Sequence, residues 1–514
     1  MIPVLTVAQM RSIDKKAINN DTAIGYSYML EAGKGLFSAA REMVPETAMG
    51  EIAVFCGSGN NGGDGYAVAR LLLGAGYRVT CFSLCAAEDL KGEAKLAFND
   101  FDAQKGNSLV LSDTTYLSNL SHFRLIIDCL LGTGTKGPPR GLYARAIEAV
   151  NVSGVPVLAA DIPSGLDGDT GTPQTPCIRA KATMTLGFPK IGLYFYPGRD
   201  FVGKLTVHEL KYPDEIVNEA GPALFFPVLE SLRGFLPPRR PAGSKFDHGL
   251  ALLVCGSKGM VGSATLAANA AQRTGCGMTH LASPGSIVPV LSAKLTETVL
   301  HAVSETPEGA ASKTALRKIL ELAGTMQALC VGPGLSHAAE TQELVLSLLS
   351  QCALPTLLDA DGINAFRGRA GELASHAGDL VITPHRGEWR RLFGELPSEP
   401  VALVDAVRKK AAEFRMTVLL KGNPTLCATA SGNAYVLPFG NSALAKAGSG
   451  DVLSGIIVSL MAQGATGDRA ALLGAYIHGE SGVVASCEKG EYSVIASDLV
   501  ETIYKIIRRL TLDV

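Results

Sequence analysis

Residues 51–65 read EIAVFCGSGNNGGDG, and residues 66–72 continue as YAVARLL. The opening six residues form a short apolar run that predicts a buried strand, whereas the closing seven favour a helix. The glycine-rich loop between them therefore meets the first turn of a helix, where backbone N–H groups lack partners and attract anions. This order of strand, loop and helix predicts a parallel α/β sheet with a phosphate-binding loop at one strand end.

The loop differs from two familiar phosphate-binding patterns. Asn60, Asn61 and Asp64 crowd the GxGxxG spacing of dinucleotide-binding loops, and no Lys-Ser or Lys-Thr follows as in a P-loop. An ordinary turn is the alternative, although so many unusual residues in one loop make it less favoured. A carboxylate beside bare backbone adds a base or a polar anchor, so the loop indicates chemistry at this strand end.

Short apolar runs recur through the first part of the chain, each followed by a glycine-containing turn and a helical pattern. Thr6 is placed to cap an opening helix from Val7 to Asn19. The carboxyl ends of parallel strands share one edge of a sheet, where ligands bind. The predicted strands are Glu51–Cys56, Val79–Leu84, Leu125–Cys129 and Val155–Ala160.

A proline-rich stretch between about Tyr212 and Gly243 interrupts this alternation and predicts a domain boundary. We expect domains at residues 1–220 and 226–514, both α/β three-layer αβα units, the first of them Rossmann-like. The second predicted series of strands comprises Leu250–Cys255, Ala328–Val331, Thr356–Leu358, Leu380–Ile382 and Thr417–Leu420.

The composition favours an enzyme that acts on small molecules. The formal charge is only −2, and no long basic run suggests a nucleic-acid or membrane surface. No stretch approaches the roughly 18 apolar residues of a membrane span, and no export signal is evident at the start. The 11 cysteines are scattered without CxxC pairs, which predicts reduced thiols in the cytoplasm. The sequence leaves open whether the chain forms a homo-oligomer.

Two further predicted strands end in aspartates. Asp128 precedes a second glycine-rich loop at residues 132–138, GTGTKGP, and Asp161 begins the segment DIPSGLD at residues 161–167. Each aspartate alone is as consistent with a helix cap or a turn as with a ligand site. The same arrangement at three strand ends favours a ligand site.

Three segments of the first part resemble signature segments of the NAD(P)H-hydrate epimerase family: residues 57–65, residues 128–141 (DCLLGTGTKGPPRG) and residues 161–171 (DIPSGLDGDTG). The resemblance covers about residues 1–220. It implies that Asp161 contacts the damaged nicotinamide ring and that Asn61, Asp128 and Ser164 surround a potassium ion. The residues implied to bind the hydrated dinucleotide are Asn60, Asn61, Gly62, Gly63, Asp64, Gly132, Thr133, Gly134, Thr135, Lys136, Gly137 and Pro138.

The implied reaction needs an acid and a base at one carbon. The ring nitrogen of the hydrate can expel the C6 hydroxyl and later accept water on the other face. Asp161 and Lys136 are the candidates for the two proton transfers. A phosphate contact or a surface position is the alternative for Lys136, since loop lysines often have these roles.

A second glycine loop lies near the end of the chain, where residues 445–455 read AKAGSGDVLSG. This segment is similar to that of the ribokinase-like superfamily. The resemblance implies that the amides of Gly448, Ser449 and Gly450 stabilise a transferring phosphoryl group, while Asp451 removes the proton from the accepting hydroxyl.

Other segments of this part resemble ADP/ATP-dependent NAD(P)H-hydrate dehydratases over about residues 226–510: VGPGL at 331–335, LDADG at 358–362, TPHRGE at 383–388 and LKG at 420–422. His385 alone would more often be structural. The resemblance implies a substrate site with Ser263 or Ala264, Gly334, His385 and Asp451. It implies nucleotide binding by Lys421, Gly422, Asn423, Pro424, Thr425, Gly448, Ser449 and Gly450.

The resemblances together predict a bifunctional repair enzyme that uses potassium, magnesium and ADP or ATP, with ADP the favoured donor. Residues 244–249, SKFDHG, depart from the expected His-Lys-Gly segment, which places ligand contacts from that edge in doubt. The alternative is a kinase of a vitamin or coenzyme precursor, with a first domain that only binds. The segment at 383–388 and the complete loops of the first domain argue against that alternative.

Overall fold

The structure is a computed structural model that describes residues 1–45, 50–134 and 137–512. The chain divides into two compact units. One unit holds Ile2–Ala223 with Glu399–Val401, and the other holds Met1, Leu224–Ser398 and Ala402–Val514. No helix in the described ranges is long and apolar enough to cross a membrane.

The first unit alternates strands and helices, as the sequence predicts. Thr6 caps its first helix and accepts a hydrogen bond from the Gln9 amide. In chain order the elements are β1 (Ile2–Val4), α1 (Val7–Ile18), α2 (Thr22–Met43), β2 (Glu51–Cys56), α3 (Asn60–Gly74), β3 (Arg78–Ser83), α4 (Gly92–Ala103), β4 (Asn107–Val110), β5 (Leu125–Cys129), α5 (Gly141–Val152), β6 (Val157–Ala160), β7 (Ala182–Leu186), α6 (Arg199–Val202), β8 (Lys204–His208) and α7 (Asp214–Glu219).

A parallel sheet with strand order β4-β3-β2-β5-β6-β7-β8 forms the middle layer of this unit. Alternate residues of β2 face two separate apolar clusters. Val54 packs in the cluster that contains α1 to α4, and Phe55 packs in the cluster that contains α5. The chain runs outward from β2 to β4 and then returns to β5 on the other side of β2. Ligand crevices of such sheets form at this crossover point.

The second unit continues the alternation after the boundary. Its elements are β9 (Leu224–Phe226), α8 (Leu229–Arg233), β10 (Leu250–Val254), α9 (Val261–Thr274), β11 (Met278–Pro284), α10 (Val288–Lys294), β12 (Val299–Val303), α11 (Leu316–Ala323), β13 (Ala328–Val331), α12 (Ala339–Gln351), β14 (Thr356–Leu358), α13 (Asp361–Asn364), β15 (Leu380–Ile382), α14 (Arg386–Phe393), α15 (Pro400–Glu413), β16 (Thr417–Leu420), β17 (Thr425–Ala428), β18 (Ala434–Leu437), α16 (Ser449–Ala462), α17 (Gly467–Lys489) and α18 (Ala496–Thr511).

The sheet of the second unit runs in the order β12-β11-β10-β13-β14-β15-β16-β17-β18-β9. The strands from β12 to β16 are parallel, whereas β17 pairs antiparallel with both β16 and β18. The order reverses between β10 and β13, so this sheet also has a crossover point. The carboxyl ends of β13 to β16 bring residues from four loops to one edge.

Helices α9 and α16 pack through small residues, and we call this contact the α9–α16 seam. Ala267 and Ala270 of α9 are fully buried and lie against Gly455 of α16. A side chain at Gly455 would lie 2.2 Å from the carbonyl oxygen of Ala267 and 2.7 Å from the Cβ of Ala270. The backbones therefore approach closely, which fixes the helix on which Asp451 lies.

The predicted fold class, α/β with two αβα domains, is confirmed. The predicted opening helix begins at Val7 and ends one residue early, at Ile18, because Asn19 adopts a left-handed conformation. One predicted strand, Val79–Leu84, is displaced by one residue to Arg78–Ser83, and two are shorter than predicted, at Val157–Ala160 and Leu250–Val254. The others have the predicted bounds: Glu51–Cys56, Leu125–Cys129, Ala328–Val331, Thr356–Leu358, Leu380–Ile382 and Thr417–Leu420.

Candidate active sites

A cavity of about 540 Å³ lies at the crossover point of the first sheet. Six of the predicted dinucleotide-binding residues line it. Thr135 and the predicted acid Lys136 lie outside the described residues. The six that line the cavity are Asn60, Asn61, Asp64, Gly132, Thr133 and Gly134.

Gly62 and Gly63 are closely packed against their neighbours. A Cβ at Gly62 would lie 1.9 Å from the carbonyl oxygen of Gly57, and one at Gly63 would lie 2.5 Å from the methyl carbon of Met29. These glycines allow the start of α3 to pack against the preceding loop and α2. Like Gly137 and Pro138, they do not line the cavity in the described structure.

Asp161 lies at the end of β6 and lines the same cavity. Its backbone has a φ of 66°, a left-handed conformation that non-glycine residues seldom adopt. Its Oδ1 accepts hydrogen bonds from the Thr185 hydroxyl at 3.2 Å, the Leu186 amide at 3.1 Å and the Lys190 ammonium. A buried ion pair therefore holds the predicted catalytic carboxylate.

Lys190 was not predicted as a site residue. It follows β7 in the segment Phe188-Pro189-Lys190, where the sequence gives no sign that the side chain turns inward. The side chain is nevertheless only 1% exposed and lines the cavity beside Asp161. Only the three-dimensional fold brings together these two residues, which are 29 positions apart.

Two more carboxylates line this cavity. Asp14 on α1 accepts a hydrogen bond of 2.6 Å from the hydroxyl of Tyr212. Burial raises the pKa of Asp14, with a further contribution from Asp161. Burial, followed by the negative charges of Asp161 and Asp14, raises the pKa of Asp64 well above its ordinary value. The cavity thus combines an ion-paired carboxylate with two carboxyl groups whose pKa values are raised.

Two of the three residues predicted to bind potassium are hydrogen-bonded to each other. Asp128 and Ser164 are buried, and Ser164 donates to Asp128 from its hydroxyl at 2.6 Å and from its amide at 2.8 Å. Burial raises the pKa of Asp128 to about 6, although these hydrogen bonds and one from the Leu130 amide oppose the shift.

Asn61 supplies the third predicted oxygen ligand. Neither polar atom of its buried amide has a hydrogen-bond partner among the described residues. Native proteins seldom leave buried polar atoms unpaired, and an absent water or ion is a common reason. A Cβ at Gly132 would lie 3.3 Å from the Cβ of Asn61, so Asn61 packs against the loop that follows Asp128. The donor set fits a cation that prefers oxygen ligands.

A cleft of about 780 Å³ lies along the strand ends of the second sheet. It contains most of the predicted nucleotide-binding residues, while Pro424 does not line it in the described structure. The predicted residues that line the cleft are His385, Lys421, Gly422, Asn423, Thr425, Gly448, Ser449, Gly450 and Asp451.

Asp359 and Lys421 form the charged floor of this cleft. The Lys421 ammonium lies 2.7 Å from Asp359 Oδ1, which also accepts a 2.8 Å hydrogen bond from Thr383. Ser454 on α16 donates to the other oxygen at 2.7 Å. Burial opposes ionisation of Asp359, but the charge of Lys421 and these hydrogen bonds outweigh it and lower the pKa. Both groups are therefore charged.

Asp451 lies in the first turn of α16. Burial raises its pKa to about 6, although a hydrogen bond with Ser263 and the charge of Lys421 lower it. A Cβ at Gly334 would lie 3.0 Å from the Cβ of Ser263. The predicted residues Ser263, Gly334 and Asp451 are thus neighbours, whereas the side chain of Ala264 is fully buried and faces Gly256, where an added Cβ would lie 3.0 Å away.

The backbone before Asp451 supplies anion-binding amides. Gly448 has a φ of 88°, and α16 begins at the next residue. The amides of Gly450 and Asp451 have no hydrogen-bond partner among the described residues. Free N–H groups at a helix start attract phosphate, as predicted for this loop.

His478 on α17 is a second residue that the sequence did not reveal. Its Nε2 lies 2.9 Å from the hydroxyl of Ser449 and 3.0 Å from the carbonyl oxygen of Ser449. Burial lowers the pKa of His478 to about 4, so the imidazole is neutral at physiological pH. It fixes the peptide that precedes the free amides.

His385 has the structural role that its residue type most often has, and it also lines the cleft. Its Nδ1 caps α14 by accepting hydrogen bonds from the amides of Gly387 at 2.9 Å and Glu388 at 3.3 Å. The carboxylate of Glu388 in turn accepts a hydrogen bond from the His385 amide at 2.8 Å. This pair of contacts fixes the ring at the mouth of the cleft.

The segment SKFDHG, residues 244–249, forms a short turn at Lys245–His248. Ser244 and Asp247 cap it through hydrogen bonds of 2.7 Å. None of its described residues lines the cleft that contains Asp451.

These two sites define a two-domain α/β enzyme. The first sheet has clustered carboxylates at its strand ends, and the second has a ribokinase-like glycine loop beside a candidate base. Residues 251–505 match a family described as NAD(P)H-hydrate dehydratase, and residues 25–192 match one described as YjeF-related protein N-terminus. The chain belongs to the family of bifunctional NAD(P)H-hydrate repair enzymes.

Relatives extend over nearly the whole chain. The bifunctional NAD(P)H-hydrate repair enzyme of Moorella thermoacetica is 37% identical over 513 residues, which cover 99% of this chain and 97% of that protein. The Escherichia coli enzyme of the same name is 31% identical over 487 residues, covering 94% of this chain and 89% of that protein.

A solved structure also matches, with a TM-score of 0.47 and 28% identity. It is the ADP/ATP-dependent NAD(P)H-hydrate dehydratase from Bacillus subtilis, co-crystallised with ATP and Mg²⁺. The match covers 55% of this chain and 98% of that chain.

Proposed function

We propose that the first unit interconverts the R and S forms of hydrated NADH and NADPH, and that the second unit dehydrates the S form at the expense of ADP or ATP. The observation that carries the proposal is the position of Asp451, a candidate base with a raised pKa beside free amides and the Asp359–Lys421 pair. Family membership over the whole length supports both activities.

In the second unit, Asp451 takes the proton of the C6 hydroxyl while the oxygen attacks the terminal phosphorus of the nucleotide. The amides at the start of α16 stabilise the charge that develops on the transferred phosphoryl group. The ring nitrogen then expels phosphate from C6, and loss of a proton from C5 restores the double bond. ADP leaves as AMP, or ATP as ADP, and NAD(P)H is regenerated.

Nucleotide binding falls to the loop after β16 and to the glycine loop. Lys421, Gly422 and Thr425 line the cleft next to Gly448 and Gly450, which supports their proposed roles. Magnesium would neutralise the nucleotide phosphates during transfer. We favour ADP as the donor, as the sequence resemblance does.

In the first unit, the C6 hydroxyl first accepts a proton, and the ring nitrogen then expels it as water. Water afterwards adds to C6 from the other face of the ring. Asp161 is the proposed base that takes a proton from the incoming water. Asn61, Asp128 and Ser164 would hold potassium, whose positive charge would offset the carboxylates of the cavity. Lys136 stays a prediction.

Recovery of absorbance at 340 nm tests both activities. Purified protein is added to mixed R and S NADH hydrates with Mg²⁺ and ADP, and separately ATP. We expect complete recovery by the wild type, none by Asp451→Ala, and prompt recovery of the S portion alone by Asp161→Ala. Asp102→Ala, an exposed position on α4, is the matched control and should behave as the wild type.

No recovery with either nucleotide would disprove the proposed dehydration. The alternative, a kinase for a vitamin or coenzyme precursor, is not favoured because the second unit matches the dehydratase family. Phosphorylation of such a precursor, without any repair of the hydrate, would instead support the kinase alternative. Cytoplasmic localisation, the lack of a nucleic-acid partner and a possible homo-oligomer stay sequence predictions.

A further inference from the structure

The contacts of the Lys190 ammonium use its whole donor capacity. Its Nζ lies within hydrogen-bond distance of Asp161 Oδ1, of the Leu186 carbonyl oxygen at 3.3 Å and of the Thr185 hydroxyl at 3.4 Å. An ammonium has three hydrogens, and each has one of these acceptors. Lys190 therefore has no donor left for a substrate and is not itself placed to transfer a proton.

The two carboxylate oxygens of Asp161 differ in their hydrogen bonds. Oδ1 accepts from Lys190, from Thr185 and from the Leu186 amide. Oδ2 has no hydrogen-bond partner among the described residues, and the carboxylate lines the cavity. Three donors on one oxygen fix the orientation of the carboxylate and leave the other oxygen available to a ligand.

We propose that Lys190 is the positioning residue of the first site: it holds Oδ1 of Asp161 and thereby presents Oδ2 as the oxygen that takes the proton from water. This inference rests on the proposed epimerisation. Thr185 accepts from Lys190 and donates to Asp161, so the three side chains form a closed ring of hydrogen bonds. The left-handed backbone of Asp161 is held in the same place by its amide, which donates to Met184 at 2.8 Å.

The role differs from that of a purely structural ion pair. A lysine needed only for folding would lower the amount of folded protein without changing how the folded protein works. A positioning lysine lowers kcat and leaves KM nearly unchanged, because the substrate still binds while the base is misplaced. A small ammonium ion that can donate hydrogen bonds should then replace it.

The test uses Lys190→Ala in the full chain, with R NADH hydrate as substrate and an excess of dehydratase from a second source to report the S form. We expect kcat for epimerisation to fall by about 100-fold, with KM within about threefold of the wild type. Methylammonium should restore at least about tenfold of the loss, whereas tetramethylammonium, which has no N–H group, should not. Lys204→Met, an exposed lysine on β8, should retain wild-type kcat.

Wild-type kcat in Lys190→Ala would overturn the proposal, and so would a folded variant that neither ammonium ion restores. If Lys190→Ala does not fold, Lys190→Met decides, since it keeps most of the side-chain volume. A 100-fold loss of kcat with unchanged KM in that variant supports the proposal, and full activity refutes it. Failure of the wild type to epimerise while it dehydrates the S form would instead contradict the proposed function of the first unit.

Discussion

Asp359 and Lys421 lie 2.7 Å apart at the carboxyl ends of β14 and β16, with β15 between them. The pair crosses an intervening strand and connects, through Ser454, to the helix that carries Asp451. Among the described residues, Glu388 at 3.9 Å is the only other acidic group within 4 Å of the Lys421 ammonium. The geometry of the second site therefore depends on this buried pair.

Replacing Asp359 with asparagine should lower the free energy of unfolding by about 3 kcal/mol, because it leaves a buried ammonium without its main partner. Urea denaturation measures the change. The folded pKa of Asp359 is lowered, so the stability that it contributes is present above its ordinary value of 3.8 and is lost as pH falls further. The difference between wild type and variant should shrink below about pH 4, and a constant difference would contradict the ion-pair explanation.

The dehydration rate should depend on ionisation of Asp451. Its raised pKa of about 6 means that the base is mainly protonated below that pH. We expect kcat/KM to fall about tenfold per pH unit below pH 6. Ser263→Ala should move the midpoint upward, because the hydrogen bond that it removes lowers the pKa. A profile that stays flat to pH 5 would exclude Asp451 as the base.

Gly448 should be intolerant of a side chain for two separable reasons. Its φ of 88° disfavours other residues, and a Cβ would lie 2.6 Å from Leu266 Cδ1. Gly448→Ala should therefore lose stability and at least about tenfold in dehydration kcat, through displacement of the amides. Gly464→Ala is the matched control, because its φ is 102° and nothing lies within 4 Å of the added carbon. It should lose about 1–2 kcal/mol of stability yet dehydrate normally.

Potassium should stabilise the first unit. Calorimetry in potassium chloride, compared with choline chloride of equal ionic strength, should show a higher melting temperature for its transition. Burial raises the pKa of Asp128 to about 6, so protons compete with the cation and the effect should weaken below that pH. Asn61→Ala should remove most of the difference between the salts. An equal response of variant and wild type would argue against this site.

Most of the central strands were predictable because they are buried on both faces, although β7 and β11 were not predicted. All five residues of β5 are buried, so an uninterrupted apolar run marks the strand. The edge strand β4, Asn107–Val110, has half-buried and exposed residues, and its composition is that of a loop. The short strands β17 and β18 were not predicted either, although the five residues between them include Ser431-Gly432, are too few for a parallel crossover and indicate a hairpin.

The site residues divide in a similar way. Asp161 and Asp451 stand beside strand ends or glycine loops, where the local sequence indicates a ligand. Lys190 and His478 act through partners 29 residues away. Their local sequences show a lysine after a proline and a histidine within a helix, and both are common without function. Only the assembled sheet and helices bring these residues to their partners.

The α9–α16 seam extends the region in which mutation harms the second site. Gly455 lies one turn beyond Asp451 and faces Ala267 rather than the cleft. An alanine at Gly455 would push α16, the helix that contains Asp451, away from α9 without altering any residue that lines the cleft. In a saturation mutagenesis experiment, substitutions on the side of α16 that packs against α9 should therefore be tolerated as poorly as substitutions on the side that lines the cleft.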